Sequence, residues 1–473
     1  MNVKTLMMAA VAAGLAIAAT ARTQEIRAWR GETVAADVDD AVELGEVPEG
    51  LKMRVGALRT VRYAPVPHSR QRLECLDRVD WNASAAGSRV VEIAVPADAK
   101  PGLYRSGALE ILVLDRVLPP PSEWKYYLDL WQHPWAVARW AKARPFSKEH
   151  YAAMKPVYEL LASAGQKTIT VTILDEPWDH QCRDAYRSMV DDADFRTFDE
   201  YVEFCRGCGL GPDISCYSLC PWKLKEKPGT PEFEARWAPF LKRFTAHLKE
   251  KGWYERTLMA MDERAPDQVR AIVDFVHRHA PGMRISMAGN RKPSDFAGID
   301  IDVYAQGLRM GADGKDFISA AFLEEATARR KRGFVTTHYV CCHPPRPNTF
   351  LSSDTEEAFW LGAYPAMVGL DGFLRWAWNS WPENPYEDAT FGNWASGDTF
   401  LCYPDGSPSI RFLELRNGII AAEKVRILRE AGLFKDELDK VAALYKSPSA
   451  IDGSCDFWRI RQETLKAVNL SVR

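Results

Sequence analysis

An apolar run that ends in two adjacent carboxylates constrains the fold of this chain more than any other stretch. Residues 258–261 are apolar, and Asp262 and Glu263 follow them directly. The sequence predicts an amphipathic helix over residues 231–251 before this run and a second helix from about residue 266 after it. A short buried strand between two helices is the repeating unit of a parallel α/β sheet. Because such folds place functional groups at the carboxyl ends of their strands, Asp262 and Glu263 are the first candidates for catalysis.

The same alternation of strands and helices continues on both sides of this segment. Eight strand-like runs are expected, mostly with a helix after each, and this order predicts an α/β fold of the (β/α)8 TIM-like barrel type. An open doubly wound sheet is the alternative, but no Gly-rich phosphate loop follows the first strand, which argues against a nucleotide-binding version. The predicted strands are 126–131, 168–174, 214–219, 258–261, 284–288, 301–305, 334–340 and 373–378. The predicted helices are 148–164, 198–208, 231–251, 266–279, 317–332, 355–368 and 407–430.

The first part of the chain has a different pattern. Strand-like runs at 90–95 and 109–114 are separated by a loop rich in turn-forming residues at 96–102. The sequence therefore predicts a small N-terminal β-sandwich-like domain over residues 22–118, which either stabilises the second domain by packing or binds sugar. Three consecutive prolines then mark a stiff boundary to the catalytic barrel domain, predicted over residues 119–473.

The N-terminus is predicted to be an export signal. Lys4 gives it a positive start, residues 6–17 are apolar and rich in alanine, and Ala19 and Ala21 form an A-x-A cleavage site. The apolar stretch is short for a helix that spans a membrane, and no Cys directly follows the cleavage site to carry a lipid. We therefore expect a signal peptide over residues 1–21, a periplasmic or secreted protein, and no stable membrane insertion after cleavage.

Composition narrows the partners of the protein. A net charge of −3 and the lack of a basic run with interleaved aromatics argue against nucleic acid. The 16 tryptophans favour a carbohydrate partner, a glycan or a glycolipid, because indole faces suit the apolar C–H face of a sugar ring. The cysteines spaced most like a zinc knuckle are Cys205, Cys208, Cys216 and Cys220. Their second spacing is unsuited to a zinc ribbon, so buried thiols or one disulfide are favoured and no metal is expected.

Polar and aromatic side chains gather where the predicted strands end, which is the mouth of a barrel. This combination of carboxylates and indoles favours a carbohydrate site. A lone aspartate at such a position also caps the next helix in many proteins, so Asp129 and Asp175 keep a structural interpretation. The candidates are Asp129, Trp131, His133, Asp175, Glu176, Trp178, Tyr217, Trp222, Asp262, Glu263, Tyr304, His338, Tyr339, Arg375, Trp376, Trp378, Asn379 and Trp381.

The adjacency of Asp262 and Glu263 constrains a mechanism. Two like charges at an apolar strand end repel, which suits a pair of which one member is held protonated as a general acid. Two-carboxylate glycosidases need their acids on either side of the scissile bond, whereas neighbours on a strand point to opposite faces. Substrate-assisted hydrolysis, in which the sugar's 2-acetamido oxygen attacks the anomeric carbon, fits better. A two-carboxylate pair of Glu176 and Glu263 is the alternative.

Residues from about 124 to 430 resemble glycoside hydrolase family 123, the exo-acting β-N-acetylgalactosaminidases. The order and number of the matching pieces carry this resemblance. They are 128–134, 176–178, 216–218 with 221–222, 261–264, 347–350, 371–381, 397–400 with 403–404, and 409–412. The resemblance implies a barrel behind a β-sandwich and retention of configuration through substrate assistance.

The resemblance also implies roles for individual residues. Asp262 would position the acetamido group, and Glu263 would be the acid and then the base. Tyr304 or Tyr339 would bind the acetamido oxygen. The expected sugar-stacking walls are Trp178, Trp222, Trp376, Trp378 and Trp381, with Tyr217 beside them. A sugar hydroxyl would be bound by Glu176 or Asn348. No cofactor is implied, since two carboxyls and the substrate's own amide suffice. A β-N-acetylglucosaminidase and a carbohydrate-binding protein without activity are the alternatives.

Overall fold

A computed structural model gives the architecture, and it describes residues 23–83, 87–174, 186–217, 226–296, 298–308, 318–446 and 455–471. The predicted signal peptide, 1–21, and the candidates Asp175, Glu176, Trp178 and Trp222 lie outside these residues. A part made of β-strands comes first, and a part of alternating strands and helices follows.

The first part, called here the N-terminal β-domain, contains two sheets. Its strands are β1 (Gln24–Arg30), β2 (Thr33–Val38), β3 (Lys52–Tyr63), β4 (Leu73–Asp80), β5 (Arg89–Ala94), β6 (Gly102–Ser106) and β7 (Leu109–Val117). They are arranged in the orders β1-β7-β6 and β2-β5-β3-β4. Both sheets bury apolar side chains in one shared core, which includes Ile26, Val38, Val91, Ile93 and Ile111. The predicted runs at 90–95 and 109–114 correspond to β5 and β7.

The second part is a parallel eight-stranded sheet that curls into a nearly closed barrel. Its strands are β8 (Tyr127–Leu130), β9 (Thr168–Thr172), β10 (Asp213–Tyr217), β11 (Thr257–Asp262), β12 (Arg284–Gly289), β13 (Val303–Gly307), β14 (Val335–Tyr339) and β15 (Gly372–Arg375). They pair in the order β8-β15-β14-β13-β12-β11-β10-β9. The first and last strands meet where the Lys167 N–H donates to the Leu128 carbonyl at 2.9 Å. The predicted (β/α)8 barrel is therefore confirmed.

Helices surround the barrel. They are α1 (Pro134–Ala141), α2 (Lys148–Ala162), α3 (Arg187–Asp191), α4 (Arg196–Gly207), α5 (Pro231–Glu250), α6 (Pro266–His279), α7 (Ala320–Lys331), α8 (Thr355–Val368), α9 (Ile410–Glu430), α10 (Lys435–Tyr445) and α11 (Phe457–Val468). Hydroxyl side chains at the N-caps of α2, α5, α7 and α9 accept backbone N–H groups and fix where these helices begin. The sequence prediction ended at residue 430 and missed the two short amphipathic helices that follow. No helix in the described ranges is long and apolar enough to cross a lipid bilayer.

Alternation along each barrel strand decides which side chains can reach the mouth. On β11, Met259 and Met261 pack into the core between the sheet and the helices. Ala260 belongs instead to a second cluster inside the barrel, together with Ala288 and Ala305 from the next two strands. Since side chains alternate, Asp262 points to the same inner side as Ala260. Small side chains therefore line the inner side of these three strands, below this carboxylate.

Helix α9 joins the barrel to the N-terminal β-domain. Three buried ion pairs cross the junction, and all three cations stand on this helix. They are Arg411 with Asp77 at 2.8 Å, Arg416 with Glu92 at 2.5 Å, and Lys424 with Glu32 at 2.7 Å. A buried charge without its partner is strongly destabilising. Because each pair forms only when the two parts are docked in this way, the pairs favour one orientation of the β-domain on the barrel.

Candidate active site

The backbone turns sharply at the end of β11. Glu263 has φ of +44°, a left-handed conformation that side chains with a Cβ rarely adopt. In a regular strand Glu263 would point away from Asp262, into the helical layer. The turn redirects the Glu263 side chain to the inner side of the barrel. A hydrogen bond shows this, since the Tyr339 hydroxyl, from the inner face of β14, donates to Glu263 Oε1 at 2.5 Å. Both carboxylates therefore lie at the mouth of the barrel, and both are partly exposed.

Two donors hold the Glu263 carboxylate. Besides Tyr339, the Asn290 amide donates to Oε2 at 3.3 Å from the residue that follows β12. Burial, and then the negative charge of Glu263, raise the pKa of Tyr339 well above its ordinary value. Tyr339 is thus a neutral donor at every relevant pH, and its proton is committed to Glu263. For Tyr339 to donate to the acetamido oxygen, as predicted, its hydrogen bond to Glu263 would have to break.

Aromatic rings form the floor and one wall of the mouth. Trp131 and Tyr217 contact each other on the inner side of β8 and β10, with ring centroids 4.6 Å apart. Tyr217 is fully buried, so it supports the floor beneath the space for a ligand. Trp376 follows β15 on the inner side, and its ring lies 4.6 Å from that of the half-buried Trp394. Trp394 was not predicted from the sequence, because it belongs to a long loop with no periodic pattern.

A buried carboxylate fixes the Trp376 ring. The Trp376 indole N–H donates to Asp398 Oδ1 at 3.2 Å, and Arg375 Nη2 donates to the same oxygen at 2.8 Å. Arg375 and Asp398 are both completely buried. Burial raises the pKa of Asp398, and the Arg375 cation opposes that rise. The position of the Trp376 ring therefore depends on a buried pair of Arg375 and Asp398.

Two predicted stacking residues are not in the mouth. Trp378 and Trp381 are fully buried in the core between the barrel and its helices. The Trp378 ring lies 4.8 Å from Phe412 of α9, and the Trp381 indole donates to the Cys402 carbonyl at 2.7 Å. The structure therefore does not bring Trp378 and Trp381 to the mouth: β15 ends at Arg375, and both indoles lie beyond it in the core.

Tyr304 and Asn348 also serve structural purposes. Tyr304 points outward from β13, lies beside Phe296, and donates its hydroxyl to the Arg291 carbonyl. The Asn348 amide donates to the Cys341 and Pro344 carbonyls at 2.8 and 2.7 Å, and its oxygen accepts from Arg375 at 3.1 Å. Both side chains are completely buried. The structure therefore does not bring Tyr304 or Asn348 to the mouth, where their predicted sugar contacts would lie.

The other candidates are not placed beside the two acids. Asp175, Glu176, Trp178 and Trp222 lie outside the described residues, and the fully buried His133 donates its backbone N–H to Asn379 Oδ1 at 2.9 Å. His338 points outward, with its ring 5.0 Å from Phe373. Asp129 is enclosed in the barrel interior rather than capping a helix, and the Thr168 hydroxyl donates to it. Burial raises the pKa of Asp129 to about 6 against this hydrogen bond.

The cysteines in the described ranges are free thiols. Cys205, Cys208 and Cys216, from the segment that superficially resembled a zinc knuckle, are buried, and burial raises the pKa of Cys208 to about 11. The vicinal Cys341 and Cys342 sulfurs lie 3.7 Å apart. The described side chains include no group of three or more His, Cys, Asp or Glu residues placed to hold a metal ion.

Comparison with known proteins gives the chain a family relationship. Residues 131–428 match the family model described as glycoside hydrolase 123, catalytic domain. A family 123 glycoside hydrolase from Clostridium perfringens, solved to give the details of glycolipid glycan hydrolysis, superposes with a TM-score of 0.80 at 23% identity. The match covers 95% of this chain and 93% of that one, and it shows a shared fold. No curated protein is similar enough in sequence to match.

Other sugar-cleaving barrels are much more distant. The endo-β-1,4-mannanase from Thermotoga petrophila has a TM-score of 0.40 at 10% identity, over 63% of this chain and 77% of that one. The Cel5A enzyme from Hypocrea jecorina has a TM-score of 0.37 at 9% identity, over 58% of this chain and 96% of that one.

The buried Asp129 predicts a pH dependence of stability. Because folding raises its pKa from 3.8 to about 6, the folded protein holds the proton more tightly, and Asp129 costs stability as the pH rises through this range. We expect the stability of Asp129→Asn relative to wild type to increase by about 2–2.5 kcal/mol between pH 4 and pH 7, which is most of the effect of a shift of about two units at about 1.4 kcal/mol per pKa unit. Urea unfolding of both proteins across this range measures it. A difference that does not change with pH would contradict the prediction.

Proposed function

The chain belongs to glycoside hydrolase family 123, and on that premise we propose that it releases terminal β-linked N-acetylgalactosamine from glycoconjugates by retaining, substrate-assisted catalysis. The observation that carries this proposal is the placement of Asp262 and Glu263. One is the last residue of β11 on its inner side, and the other is turned into the same mouth by a left-handed backbone. Two adjacent acids can then act together on one sugar.

In the first step the substrate supplies the nucleophile. The Asp262 carboxylate accepts the N–H of the 2-acetamido group and makes its carbonyl oxygen more nucleophilic. That oxygen forms a bond to C1 while the C1–O bond to the leaving group breaks, and Glu263 gives its proton to the departing oxygen. The product is a cyclic oxazolinium ion whose positive charge lies beside Asp262.

In the second step the same two acids act in reverse. Glu263, now a carboxylate, takes a proton from water while the water oxygen bonds to C1 and the bond from C1 to the acetamido oxygen breaks, which restores the 2-acetamido group. Two inversions at C1 give net retention. The hydrogen bonds from Tyr339 and Asn290 hold both oxygens of Glu263, so the carboxyl keeps one orientation through both steps.

The aromatic wall suits the sugar. The half-buried Trp394 packs against the buried Trp376, and indole faces of this kind pack against the C–H groups of a pyranose. Trp131 and Tyr217 close the floor, which suits a pocket that takes a terminal residue rather than a groove along a chain. The glycolipid glycan hydrolysis described for the Clostridium perfringens relative supports glycolipids as one class of substrate.

Substitution of the two acids tests their roles. We expect Glu263→Gln to lower kcat for aryl β-N-acetylgalactosaminides by about 10²–10⁴-fold, least for substrates with a good leaving group that needs no proton. Asp262→Asn should lower kcat for all leaving groups, because it impairs formation of the cyclic intermediate. The control is Asp274→Asn, on the exposed face of α6. Full activity in either active-site variant would sink the assignment.

A panel of substrates tests the mechanism and the sugar. We expect aryl β-galactoside, which lacks the acetamido nucleophile, to react about 10²-fold or more slowly than the N-acetylgalactosaminide, and an N-acetylgalactosamine thiazoline to inhibit. The β-N-acetylglucosaminide differs only at C4 and should be the poorer substrate. Turnover of the galactoside that is insensitive to the thiazoline would point instead to the pair of Glu176 and Glu263.

We also propose that the protein is exported. The positive start, apolar run and A-x-A site of residues 1–21 support this. N-terminal sequencing of protein from the periplasm or medium should begin at Arg22. A mature chain that retains Met1 would contradict it.

A further inference from the structure

The loop between β15 and α9, residues 376–409, carries much of the aromatic wall. It contains Trp376, Trp394 and Asp398, yet it has no helix or regular strand of its own. Loops of this length are uncommon in compact domains and need outside contacts to hold one conformation, because each ordered residue costs about 1–2 kcal/mol of conformational entropy. The contacts that hold it therefore decide the shape of the mouth.

One buried guanidinium ties this loop together. Arg411, in the first turn of α9, donates through Nη1 to the carbonyls of Thr349, Gly397 and Phe400 at 2.7, 3.1 and 3.1 Å. Gly397 and Phe400 flank Asp398, the residue that fixes Trp376. Gly397 has φ of +87°, and a Cβ there would lie 3.0 Å from Arg411 Nη1, so the loop approaches this cation as closely as its backbone permits.

The N-terminal β-domain orients that guanidinium. Asp77 of β4 accepts from Arg411 Nε at 2.8 Å through one oxygen and from Nη2 at 3.0 Å through the other. The Tyr403 hydroxyl donates to the second oxygen at 2.6 Å. Asp77 and Arg411 are almost completely buried. Since a two-point pair of this kind fixes the plane of the guanidinium, it also fixes the direction in which Nη1 points.

The end of β3 holds the same loop on both sides of Trp394. The Arg62 carbonyl accepts the Ala389 N–H at 2.9 Å, and the Ala64 N–H donates to the Thr390 hydroxyl at 3.0 Å. Beyond Trp394, the Ser396 hydroxyl donates to the Ala64 carbonyl at 3.1 Å. The segment that carries Trp394 is therefore anchored to the β-domain before and after the indole.

We propose that the N-terminal β-domain is part of the sugar-binding machinery and that Asp77 is a positioning residue for it. Asp77 acts through Arg411 on the loop around Asp398, and Asp398 holds the indole of Trp376. This inference deepens the proposed function and rests on it, since the ligand of the wall is taken to be N-acetylgalactosamine. Asp77 itself contacts no substrate.

Asp77→Asn tests the inference, because the amide keeps the shape but turns one acceptor into a donor against Arg411. We expect KM for aryl β-N-acetylgalactosaminide to rise about tenfold while kcat changes by less than about threefold, since Asp262 and Glu263 stand on another strand. Hydrogen exchange should become faster in peptides that cover residues 387–400.

The matched control is Glu32→Gln. It also removes the carboxylate of a buried ion pair between the β-domain and α9, but its partner Lys424 donates to Asn469 rather than to the loop. We expect Glu32→Gln to lower stability to a similar extent and to leave KM and exchange in residues 387–400 as in wild type. Equal effects of the two variants, or no effect of Asp77→Asn, would overturn the inference.

A milder variant covers the case in which Asp77→Asn does not fold. Ser396→Ala removes only the hydroxyl that reaches the Ala64 carbonyl, and should raise KM about twofold to threefold with faster exchange around Trp394. Unchanged KM and exchange would count against the inference. The exchange measurement needs no turnover, so if wild type cleaves no N-acetylgalactosaminide, the proposed function fails while the role of Asp77 in ordering the loop is still decided.

Discussion

The left-handed backbone at Glu263 is the feature on which the site depends. For a residue with a Cβ this conformation costs about 1–2 kcal/mol, and it persists only where surrounding contacts compensate. Here the hydrogen bonds that Tyr339 and Asn290 donate to the two oxygens of Glu263 hold the side chain in this conformation. The cost of the strained residue gives the site two acids on one side of a strand, which regular alternation forbids.

The inner side chains of the barrel differ in size from one strand to another. Alanines on β11, β12 and β13 leave the inner side open above them, while Trp131, Tyr217 and Trp376 from other strands supply flat surfaces. The outward residues of the same strands, such as Met259 and Met261, are large and pack against helices. Alternation of small inner and large outer side chains thus gives these strands a packed outer layer and an inner side lined by alanine.

Periodicity in the sequence was sufficient wherever a regular strand positions the residue. It placed Asp262 at the end of β11. It did not place Trp378, because β15 ends at Arg375 rather than at residue 378, or Tyr304, because a single strand does not reveal which parity faces inward. Trp381 lies beyond the predicted strand, so periodicity gives it no position. The sequence alone could not show that Asn348 lies away from the mouth. Its amide binds the Cys341 carbonyl and Arg375, which only folding brings close to it. Trp394 could not be predicted, because long-range hydrogen bonds rather than a local sequence pattern determine the conformation of its loop.

One buried ion pair connects the β-domain to the loop that follows β15. Asp77 and Arg411 are separated by 334 residues, so their pair forms only when both parts have folded and docked. A well-packed apolar pair could replace a buried ion pair at little cost in stability, but it would not point a guanidinium nitrogen at three carbonyls. The charged pair is explained by direction rather than by strength, and what it directs is the loop that carries Trp376, Trp394 and Asp398.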